Sequence, residues 1–496
     1  MNLFLADIED EDYFALLDWK DAYGLGESAR GLRLVHGPEG SDLRTPDGRK
    51  GVLALGCSGL WGEGAAGFEF EVVKDEDMLK AGWPRIKEVP AYYTRPGSER
   101  SVGCSIIDDL GVRSRNPQFV HSLHEYLSGQ AVKRGGQPLT IEVSPTKWGG
   151  MKIWRDPERQ TITINMPDFI IAATFKWLPT LVNEGALPEG VPTGKKLRDA
   201  LDALEVAEGT GKLTPDQSDV QALAGILRWI VRRVYRIIKA AHMLACVAHR
   251  AKCPEAKLAA LGVLACAYEA REEGQTYHRK GPTGAFGGVL KGTYDARRDT
   301  KVLKADGEAR TAHGAPLEQE GLSDATWSKG GMGTMDVYTF GLTYKCAGYF
   351  VQLKKSPVVG GSSAELEGLG LLKVSDATVY SRIVAAKLGI DTSKPTMLLC
   401  DAEAALRAAS GEASCNRLKH AVRRSQIVFE RVQAREIALA HIPDAANAVD
   451  IFTKWCKADK VEAMLAYLTG GSSAGSGAYV NSMVAAFAVL ADWLGA

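Results

Sequence analysis

The stretch TMLLCDAEAALRAA, residues 396–409, carries the clearest structural signal in this sequence. A short apolar run leads into Asp401, and an alanine- and leucine-rich segment follows at once, which predicts a buried strand that continues into a helix. Asp401 would then lie at the end of a strand, where the sheets of α/β proteins carry their functional side chains. Residues 321–465 around this stretch are therefore predicted to form an α/β domain.

Three further carboxylates accompany Asp401 in the last third of the chain. Asp324 lies in the segment GLSDATW, Glu365 lies at the start of a segment with helical apolar spacing, and Asp450 begins another such segment. Oxygen ligands that converge from separate elements suit two Mg²⁺ ions, which activate water and stabilise the leaving oxygen in phosphodiester cleavage. Each acid by itself is more often a cap or a surface residue, so their joint order and spacing carry the prediction.

A second group of acids lies in the first quarter of the sequence. Asp18 lies in LLDWKDAY, and the adjacent pair Asp108 and Asp109 lies between apolar residues in CSIIDDLGV. Two neighbouring carboxylates repel each other, and this cost is usually tolerated where a divalent cation offsets it. A plain surface turn is the alternative interpretation, and it is the commoner one for so short a pattern.

Two segments of the sequence are rich in basic residues. Residues 227–248 are predicted to form one helix with a basic stripe, and a second basic segment spans residues 411–435. The candidate nucleic-acid-binding residues in these segments are Arg228, Arg232, Arg236, Arg417, Lys419, Arg423 and Arg424. Such residues can neutralise backbone phosphates and give a salt-sensitive affinity for nucleic acid. Either segment taken alone is more simply a solvated helix face.

Composition places the chain among globular proteins with several domains. It has 496 residues, 45% of them hydrophobic, and its 60 basic residues balance its 60 acidic ones. No apolar run is long enough to span a bilayer, and the acidic start MNLFLADIEDED is unlike a secretory signal or a transit peptide. Nine cysteines without a CxxC pair favour free thiols in a reducing compartment. We therefore expect a cytoplasmic protein, with a nuclear location as the variant, and no membrane partner.

The sequence divides into five segments of different character. In chain order they are mixed α/β residues 1–175, mostly helical residues 176–275, a polar glycine-rich connector at 276–320, the α/β residues 321–465, and a flexible linker with a short apolar tail at 466–496. Short β-rich runs alternate with turn signals in the first segment, and alanine, leucine and arginine dominate the second. The predicted fold class is therefore α+β or α/β.

The motifs of the last third resemble the ribonuclease H region of copia-type retrotransposon polyproteins. AVDIFTK around Asp450 is close to that family's Ala-Asp-Ile-Leu/Phe-Thr-Lys, and GLSDATW resembles its Gly-Tyr-Ser-Asp-Ala-Asp-Trp. SSAELEG, which contains Glu365, is similar to Ser-Ser-Thr-Glu-Ala-Glu-Tyr, and NRLKHAVRR to the family's Arg-Thr-Lys-His segment. The spacing to Glu365 suits Asp324 as the first acid and leaves Asp336 as the weaker candidate.

The first third of the chain resembles the reverse transcriptase of the same family more loosely. LDWKDAYGLGE contains Asp18 and is similar to the family's Asp-Val-Lys-Thr-Ala-Phe-Leu, and IIDDL takes the place of Tyr-Val-Asp-Asp-Leu. The resemblance implies a truncated reverse-transcriptase palm whose fingers are largely missing, and a helical thumb or connection after it. It also implies a ribonuclease H-like mixed sheet with flanking helices at the end.

The resemblance further implies roles, cofactors and partners. Asp18, Asp108 and Asp109 would form a polymerase site, where two Mg²⁺ ions held by Asp18 and Asp108 align a DNA primer with an incoming deoxynucleoside triphosphate. Two more Mg²⁺ ions would serve a nuclease site that cuts the RNA of an RNA–DNA hybrid. The residues implied at that site are Asp324, Glu365, Asp401 and Asp450. An RNA template paired with the primer would be held by the basic residues.

Departures from the family pattern concentrate in the polymerase half. Only 17 residues precede Asp18, the fingers region with its basic residues is missing, and Ile106 replaces the tyrosine of Tyr-x-Asp-Asp. We therefore expect hydrolysis by this chain and weak or absent polymerisation. The alternatives are a decayed or repurposed protein that binds nucleic acid without turnover, and a stand-alone nuclease of the ribonuclease H type.

Overall fold

A computed structural model gives an α+β protein with antiparallel and mixed sheets, in agreement with the predicted class. The described residues are 1–20, 22, 33–36, 52–55, 66–98, 100–106, 108–206, 215–248, 254–280, 301–303, 310–311, 319–327, 336–357, 360–411 and 422–471. The chain forms two compact units. Unit 1 contains Met1, Asp7–Gly149 and Ile383–Ile390, and unit 2 contains the remaining described residues.

The described elements include eighteen strands and fourteen α-helices. The strands are β1 (Tyr13–Asp18), β2 (Arg33–His36), β3 (Val52–Leu55), β4 (Tyr92–Thr94), β5 (Val102–Ile106), β6 (Asp109–Ser114), β7 (Thr140–Val143), β8 (Lys147–Trp148), β9 (Met151–Asp156), β10 (Thr161–Asn165), β11 (Gly274–His278), β12 (Lys301–Leu303), β13 (Arg310–Thr311), β14 (Glu320–Thr326), β15 (Val337–Tyr344), β16 (Ala347–Lys355), β17 (Thr396–Cys400) and β18 (Ile437–His441). The helices are α1 (Asn2–Ala6), α2 (Ala66–Lys80), α3 (Pro117–Lys133), α4 (Pro167–Trp177), α5 (Pro179–Glu184), α6 (Gly194–Val206), α7 (Pro215–Ile230), α8 (Ile238–Val247), α9 (Pro254–Glu269), α10 (Ser363–Lys387), α11 (Glu403–Ser410), α12 (Val422–Gln433), α13 (Asp450–Thr453) and α14 (Ala458–Thr469).

Unit 1 is built on an antiparallel sheet with strand order β4-β5-β6-β1-β7. Along the chain, β1, α2, the β5–β6 hairpin, α3 and β7 form a β-α-β-β-α-β unit, the split βαβ arrangement. Helix α3 begins where Asn116 accepts a hydrogen bond from the Gln118 amide and Pro117 occupies the first turn. Its buried residues recur at helical spacing and face the sheet; they are Val120, Leu123, Leu127 and Ala131.

The long segment of unit 2 that starts at Gly150 begins before the boundary predicted at residue 175 and includes the β9–β10 hairpin. The division falls between Gly149 and Gly150. Strand β10 pairs with β9 and also with β11, where Thr161 lies opposite His278, so the β9–β10 hairpin is hydrogen-bonded to a strand more than a hundred residues later. Helices α4 to α9 occupy most of the sequence between β10 and β11. The long-range pairing with β11 could not be inferred from local sequence patterns.

The prediction of one continuous helix over residues 227–248 is wrong. Helix α7 ends at Ile230 and α8 begins at Ile238, with a turn and a short 3₁₀ segment between them. The break accommodates Arg233, which is fully buried and donates hydrogen bonds of 2.6 Å to Gln275 Oε1 and Asn2 Oδ1. These tertiary hydrogen bonds outweigh the local helix preference. The basic stripe therefore does not lie on one helix.

The largest sheet lies in unit 2 and has the strand order β13-β12-β18-β17-β14-β15-β16. Strands β14, β15 and β16 form an antiparallel meander, whereas β17 runs parallel to β14, and β18 runs parallel to β17. Helix α10 connects β16 to β17, and α11 and α12 connect β17 to β18. The predicted strand before Asp401 and the helix after it are confirmed as β17 and α11.

Two expectations about the chain's environment can be compared with the described residues. No helix among them combines the length and the apolar character that crossing a bilayer requires. Six of the nine cysteines are described, and all six have free thiols. The described part of the chain is therefore held together without disulfides.

Candidate metal centre

Three of the predicted acids meet at one end of the large sheet. Oxygens of Asp324, Asp401 and Asp450 all lie within 4.8 Å of one another. Ser323 pairs with Cys400 in the parallel register of β14 and β17, so Asp324 and Asp401 are the next residues on neighbouring strands. Because parallel neighbours at equal register project to the same side, these two carboxylates face the same space.

Asp450 reaches the same space from the loop that follows β18. Asn447 in this loop donates a 3.0 Å hydrogen bond from its side chain to the Ser323 carbonyl oxygen, which ties the loop to β14. Asp450 then begins α13, and Thr453 in the same turn donates a hydrogen bond to Asp324. Asp324 and Asp450 are each only 1% exposed. The loop therefore covers the ends of the strands and shields Asp324 and Asp450 from solvent.

The fourth acid at the site is Glu367, and not Glu365 as the sequence predicted. Glu367 has a carboxylate oxygen within 4.8 Å of ligand atoms of Cys400 and Asp401. Glu365 instead accepts a 3.0 Å hydrogen bond from the Gly361 amide and lies 3.5 Å from an Arg424 guanidinium nitrogen. Residues two apart on a helix point roughly 200° apart, so only one of the two glutamates can face the sheet.

Glu367 lies on the face of α10 that packs against the sheet. Helix α10 buries Glu367, Gly370, Val374 and Thr378, which recur at the spacing of one helix face. A Cβ atom at Gly370 would lie 3.5 Å from the Asp324 carbonyl oxygen, so this face lies against β14. Leu369 and Leu372, which are in phase with Glu365, are buried and apolar as well, so the contact of this face with β14 and not the sequence pattern separates the two glutamates.

The acids are held in an environment that disfavours their charge. Burial raises the pKa of Asp324 to about 7, against the opposing effect of the Lys454 ammonium. Burial, with smaller contributions from the charges of Asp324 and Asp401, raises the pKa of Glu367 to about 9. Burial also raises the pKa of Asp401. The site therefore lacks enough positive charge to keep all of its acids ionised at neutral pH.

Two lysines supply part of the missing positive charge. The Lys454 ammonium contacts Asp450 and lies 4.0 Å from Asp324 Oδ1 and 3.5 Å from Asp444. Lys460 also contacts Asp450 and lies 2.9 Å from Asp444. Although burial opposes it, the charges of Asp324 and Asp450 raise the pKa of Lys454. The lysines therefore neutralise one side of the acid site.

The residues present suit a divalent cation. Within the described part of the chain, Asp324 Oδ1 and Glu367 Oε2 are buried and accept no hydrogen bond, and the Lys454 ammonium lies 4.0 Å from the first of them. Leaving buried acceptors unsatisfied is costly, and a bound cation would satisfy them. The acidic clusters of this site could therefore bind a metal ion, and their oxygen ligands match the preference of Mg²⁺.

Asp336, the weaker candidate for the first acid, lies elsewhere. Its Oδ2 accepts a 2.8 Å hydrogen bond from the Gly360 amide, and it belongs to neither of the two ligand groups found among the described residues. The preference for Asp324, which rested on spacing, therefore agrees with the geometry.

The acids predicted near the amino terminus are neighbours in unit 1 but do not converge as tightly. Asp18 and Asp109 are directly opposed on β1 and β6, and the Trp19 amide donates a 3.3 Å hydrogen bond to the Asp108 carbonyl oxygen. Burial, followed by the charges of Asp108 and Asp18, raises the pKa of Asp109 to about 6. Within the described residues these three acids form no close group of ligand atoms. Metal binding by them stays a prediction.

The predicted basic residues have different environments. Arg236 is almost enclosed and pairs with Glu273 at 2.7 Å and with Glu462, so its charge is already neutralised. Arg228 and Arg232 are exposed, and the Arg232 guanidinium lies 4.3 Å from the centre of the Trp229 ring. Arg423 is exposed, Arg424 faces Glu365, and Arg417 and Lys419 lie outside the described residues. Nucleic-acid binding by this set stays a prediction, and Arg236 is its weakest member.

Comparison with known proteins identifies no relative, so the interpretation of this site depends on its geometry and on the sequence motifs. No protein-family model matches the chain, and no curated protein is significantly similar to it.

Proposed function

We propose that this chain is a Mg²⁺-dependent nuclease of the ribonuclease H type, from a retroelement protein related to the copia family, and that it cleaves the RNA strand of RNA–DNA hybrids. The observation that carries the proposal is the convergence of Asp324, Asp401 and Asp450, with Glu367 beside them, at the ends of two parallel strands. Convergent carboxylates of this kind are what two-metal phosphodiester cleavage requires.

The architecture around the acids supports the proposal. A mixed sheet with α10, α11 and α12 in its connections is compatible with the ribonuclease H-like domain that the motifs imply. The acids come from β14, the residue after β17, one face of α10 and the first turn of α13, and three of the motifs that carry the family resemblance contribute a ligand each: GLSDATW, SSAELEG and AVDIFTK. Independent motifs that meet at one site are stronger support than any one of them alone.

The site residues have distinct roles in the proposed mechanism. Asp401 belongs to both ligand groups, so it would join an ion held with Asp324 and Asp450 to an ion held with Glu367. When bound, the two Mg²⁺ ions supply an activated water and stabilise the leaving oxygen. His441 donates a 3.1 Å hydrogen bond to the Asp401 carbonyl oxygen and so orients the strand end that carries the shared acid.

A hydrolysis assay on purified full-length protein tests the proposal. With Mg²⁺ and a hybrid labelled on its RNA strand, we expect cleavage by the wild type and none by Asp401→Asn. The matched control is Asp391→Asn, since Asp391 is an exposed acid between α10 and β17 in the same unit. Equal cleavage by the wild type and Asp401→Asn would contradict the assignment of the acids.

Polymerisation is a second candidate function, favoured by one feature of unit 1. Asp18 lies opposite Asp109 beside the β5–β6 turn, within a split βαβ unit. Primer extension on an RNA template measures this activity directly, and we expect it to be weak or absent. If neither extension nor cleavage is seen but hybrid binding falls steeply with salt, the non-catalytic alternative is correct.

A further inference from the structure

The acid site includes a sulfur ligand that the proposed Mg²⁺ chemistry does not use. Cys400, the last residue of β17, places its Sγ atom within 4.8 Å of carboxylate oxygens of both Glu367 and Asp401. Cys400 is completely buried, so its thiol is fixed in this position by the strand. Two oxygens and one sulfur at such distances are a donor set that a small cation can bridge.

Glu367, a second member of this group, has one carboxylate oxygen without a hydrogen-bond donor in the described part of the chain. Glu367 is only 7% exposed, and its Oε2 atom accepts no hydrogen bond among the described residues. The Ala402 amide donates a 3.4 Å hydrogen bond to Cys400 Sγ, and such a hydrogen bond favours negative charge on the sulfur. A buried carboxylate oxygen without a donor, next to a fixed thiol, points to a cation as the missing partner.

The chemistry of the three donors selects the kind of cation. Mg²⁺ is a hard ion that takes oxygen ligands, so sulfur adds nothing to its binding. Zn²⁺ accepts sulfur and carboxylate oxygen together, and thiolate ligands select it and similar soft ions. Burial raises the pKa of the Cys400 thiol, so a soft ion must displace its proton to bind.

We propose that Glu367, Cys400 and Asp401 form a binding site for a thiophilic divalent cation, Zn²⁺ or its analogue Cd²⁺, which takes two ligands, Glu367 and Asp401, from the proposed Mg²⁺ site and adds the thiol. Binding forms bonds from the ion to two carboxylate oxygens and one thiolate, and the displaced protons pass to solvent without any redox step. The binding site is argued from the donor geometry alone. Its consequence, that Zn²⁺ inhibits hydrolysis by occupying Glu367 and Asp401, rests on the proposed function.

Titration of the full chain with Cd²⁺ tests the site without nucleic acid. Thiolate–Cd²⁺ bonds give an ultraviolet charge-transfer absorption, and equilibrium dialysis counts the bound ions. We expect Cys400→Ala to bind one tight Cd²⁺ fewer than the wild type and to lose the matching absorption. Cys104→Ala, which removes another buried strand cysteine outside both ligand groups, should bind as the wild type does.

A second variant keeps the test valid if Cys400→Ala does not fold. Glu367→Gln retains the thiol and removes the buried carboxylate, and we expect it to weaken Cd²⁺ binding by about tenfold or more. Cd²⁺ binding by Cys400→Ala equal to that of the wild type, or unchanged affinity in Glu367→Gln, would overturn the proposal.

The failure of this inference is distinguishable from the failure of the proposed function. If Cd²⁺ binding depends on Cys400 but no variant cleaves hybrids, the cation site stands and the nuclease assignment falls. If the wild type cleaves hybrids with Mg²⁺ while Cys400→Ala binds Cd²⁺ as the wild type does, only the proposed cation site is wrong. If both hold, Zn²⁺ should inhibit the wild type more strongly than Cys400→Ala.

Discussion

The two groups of acids in this protein have similar residues and opposite surroundings. In unit 2, Asp324 and Asp450 are 1% exposed and meet Asp401 around one small space. In unit 1, Asp18 and Asp109 are partly exposed partners across an antiparallel ladder. In unit 2 a loop covers the ends of parallel strands, so the carboxylates there are close together and shielded from water. In unit 1 the carboxylates lie at the end of a hairpin and remain partly solvated. The unit 2 group therefore needs a cation far more than the unit 1 group does.

The largest expected effect separates the two groups by activity. Asp324→Asn removes an acid from the unit 2 site, and the loss of about 4 kcal/mol of metal-dependent stabilisation should slow hybrid cleavage roughly a thousandfold. Asp18→Asn should leave cleavage within about twofold of the wild type, because its group serves no hydrolysis. Single-turnover cleavage rates measure both. Comparable losses in the two variants would break the distinction between the groups.

The next effect sharpens the assignment within the unit 2 group. Glu367→Gln removes the buried glutamate beside Asp401 and should slow cleavage by about ten- to a hundredfold, as loss of metal support does. Glu365→Gln changes a side chain that faces Gly361 and Arg424, so we expect near-normal rates. The two variants are a matched pair, since they make the same change two residues apart on one helix. A larger loss in Glu365→Gln would restore the prediction made from sequence.

A pH-dependent effect is expected for the unit 1 group. The pKa of the Asp109 carboxyl group is raised to about 6, so this group holds its proton more tightly in the folded state than in the unfolded chain. Below about pH 4 Asp109 is protonated in both states and does not lower the free energy of unfolding. As the pH rises through 6 the carboxyl group ionises in the folded protein, and the free energy of unfolding falls. Asp109→Asn should therefore raise the free energy of unfolding at pH 7 by about 1–3 kcal/mol, with no gain at pH 4.

Urea unfolding in the presence and absence of Mg²⁺ measures this gain. If the unit 1 acids bind Mg²⁺, the ion should remove most of the advantage of Asp109→Asn at pH 7, because it offsets the charge of the partly buried Asp109 carboxylate. An equal gain at both pH values would show that the ionisation of Asp109 is not its cause.

The smallest expected effect concerns the lysine that neutralises the unit 2 group. Lys454→Met should lower the free energy of unfolding of the metal-free protein by about 1 kcal/mol, less than for a buried pair because Lys454 is 45% exposed. Mg²⁺ should then raise the melting temperature of this variant more than that of the wild type. Lys457→Met, at an exposed position nearby, is the control and should behave as the wild type. An unchanged stability in Lys454→Met would mean that this ion pair contributes nothing.

Much of the candidate site could be predicted because its signals are local. Asp401 follows a short apolar run, and Asp324 and Asp450 lie in motifs with recognisable neighbours, so the local sequence identifies each of them. Glu365 and Glu367 lie in one motif, and choosing between them requires knowing which face of α10 meets the sheet. The break between α7 and α8 depends on the buried partners of Arg233, which come from distant parts of the chain.

The sequence by itself determined the α+β class, the strand before Asp401 and three of the acids at the site, because periodicity and strand ends are properties of neighbouring residues. Only the tertiary structure decided that Glu367 completes the group, that Glu273 and Glu462 neutralise Arg236, and that Cys400 lies beside the acids. These depend on contacts between residues far apart in the chain, where burial removes competing water and one neighbour decides whether a charge is paired.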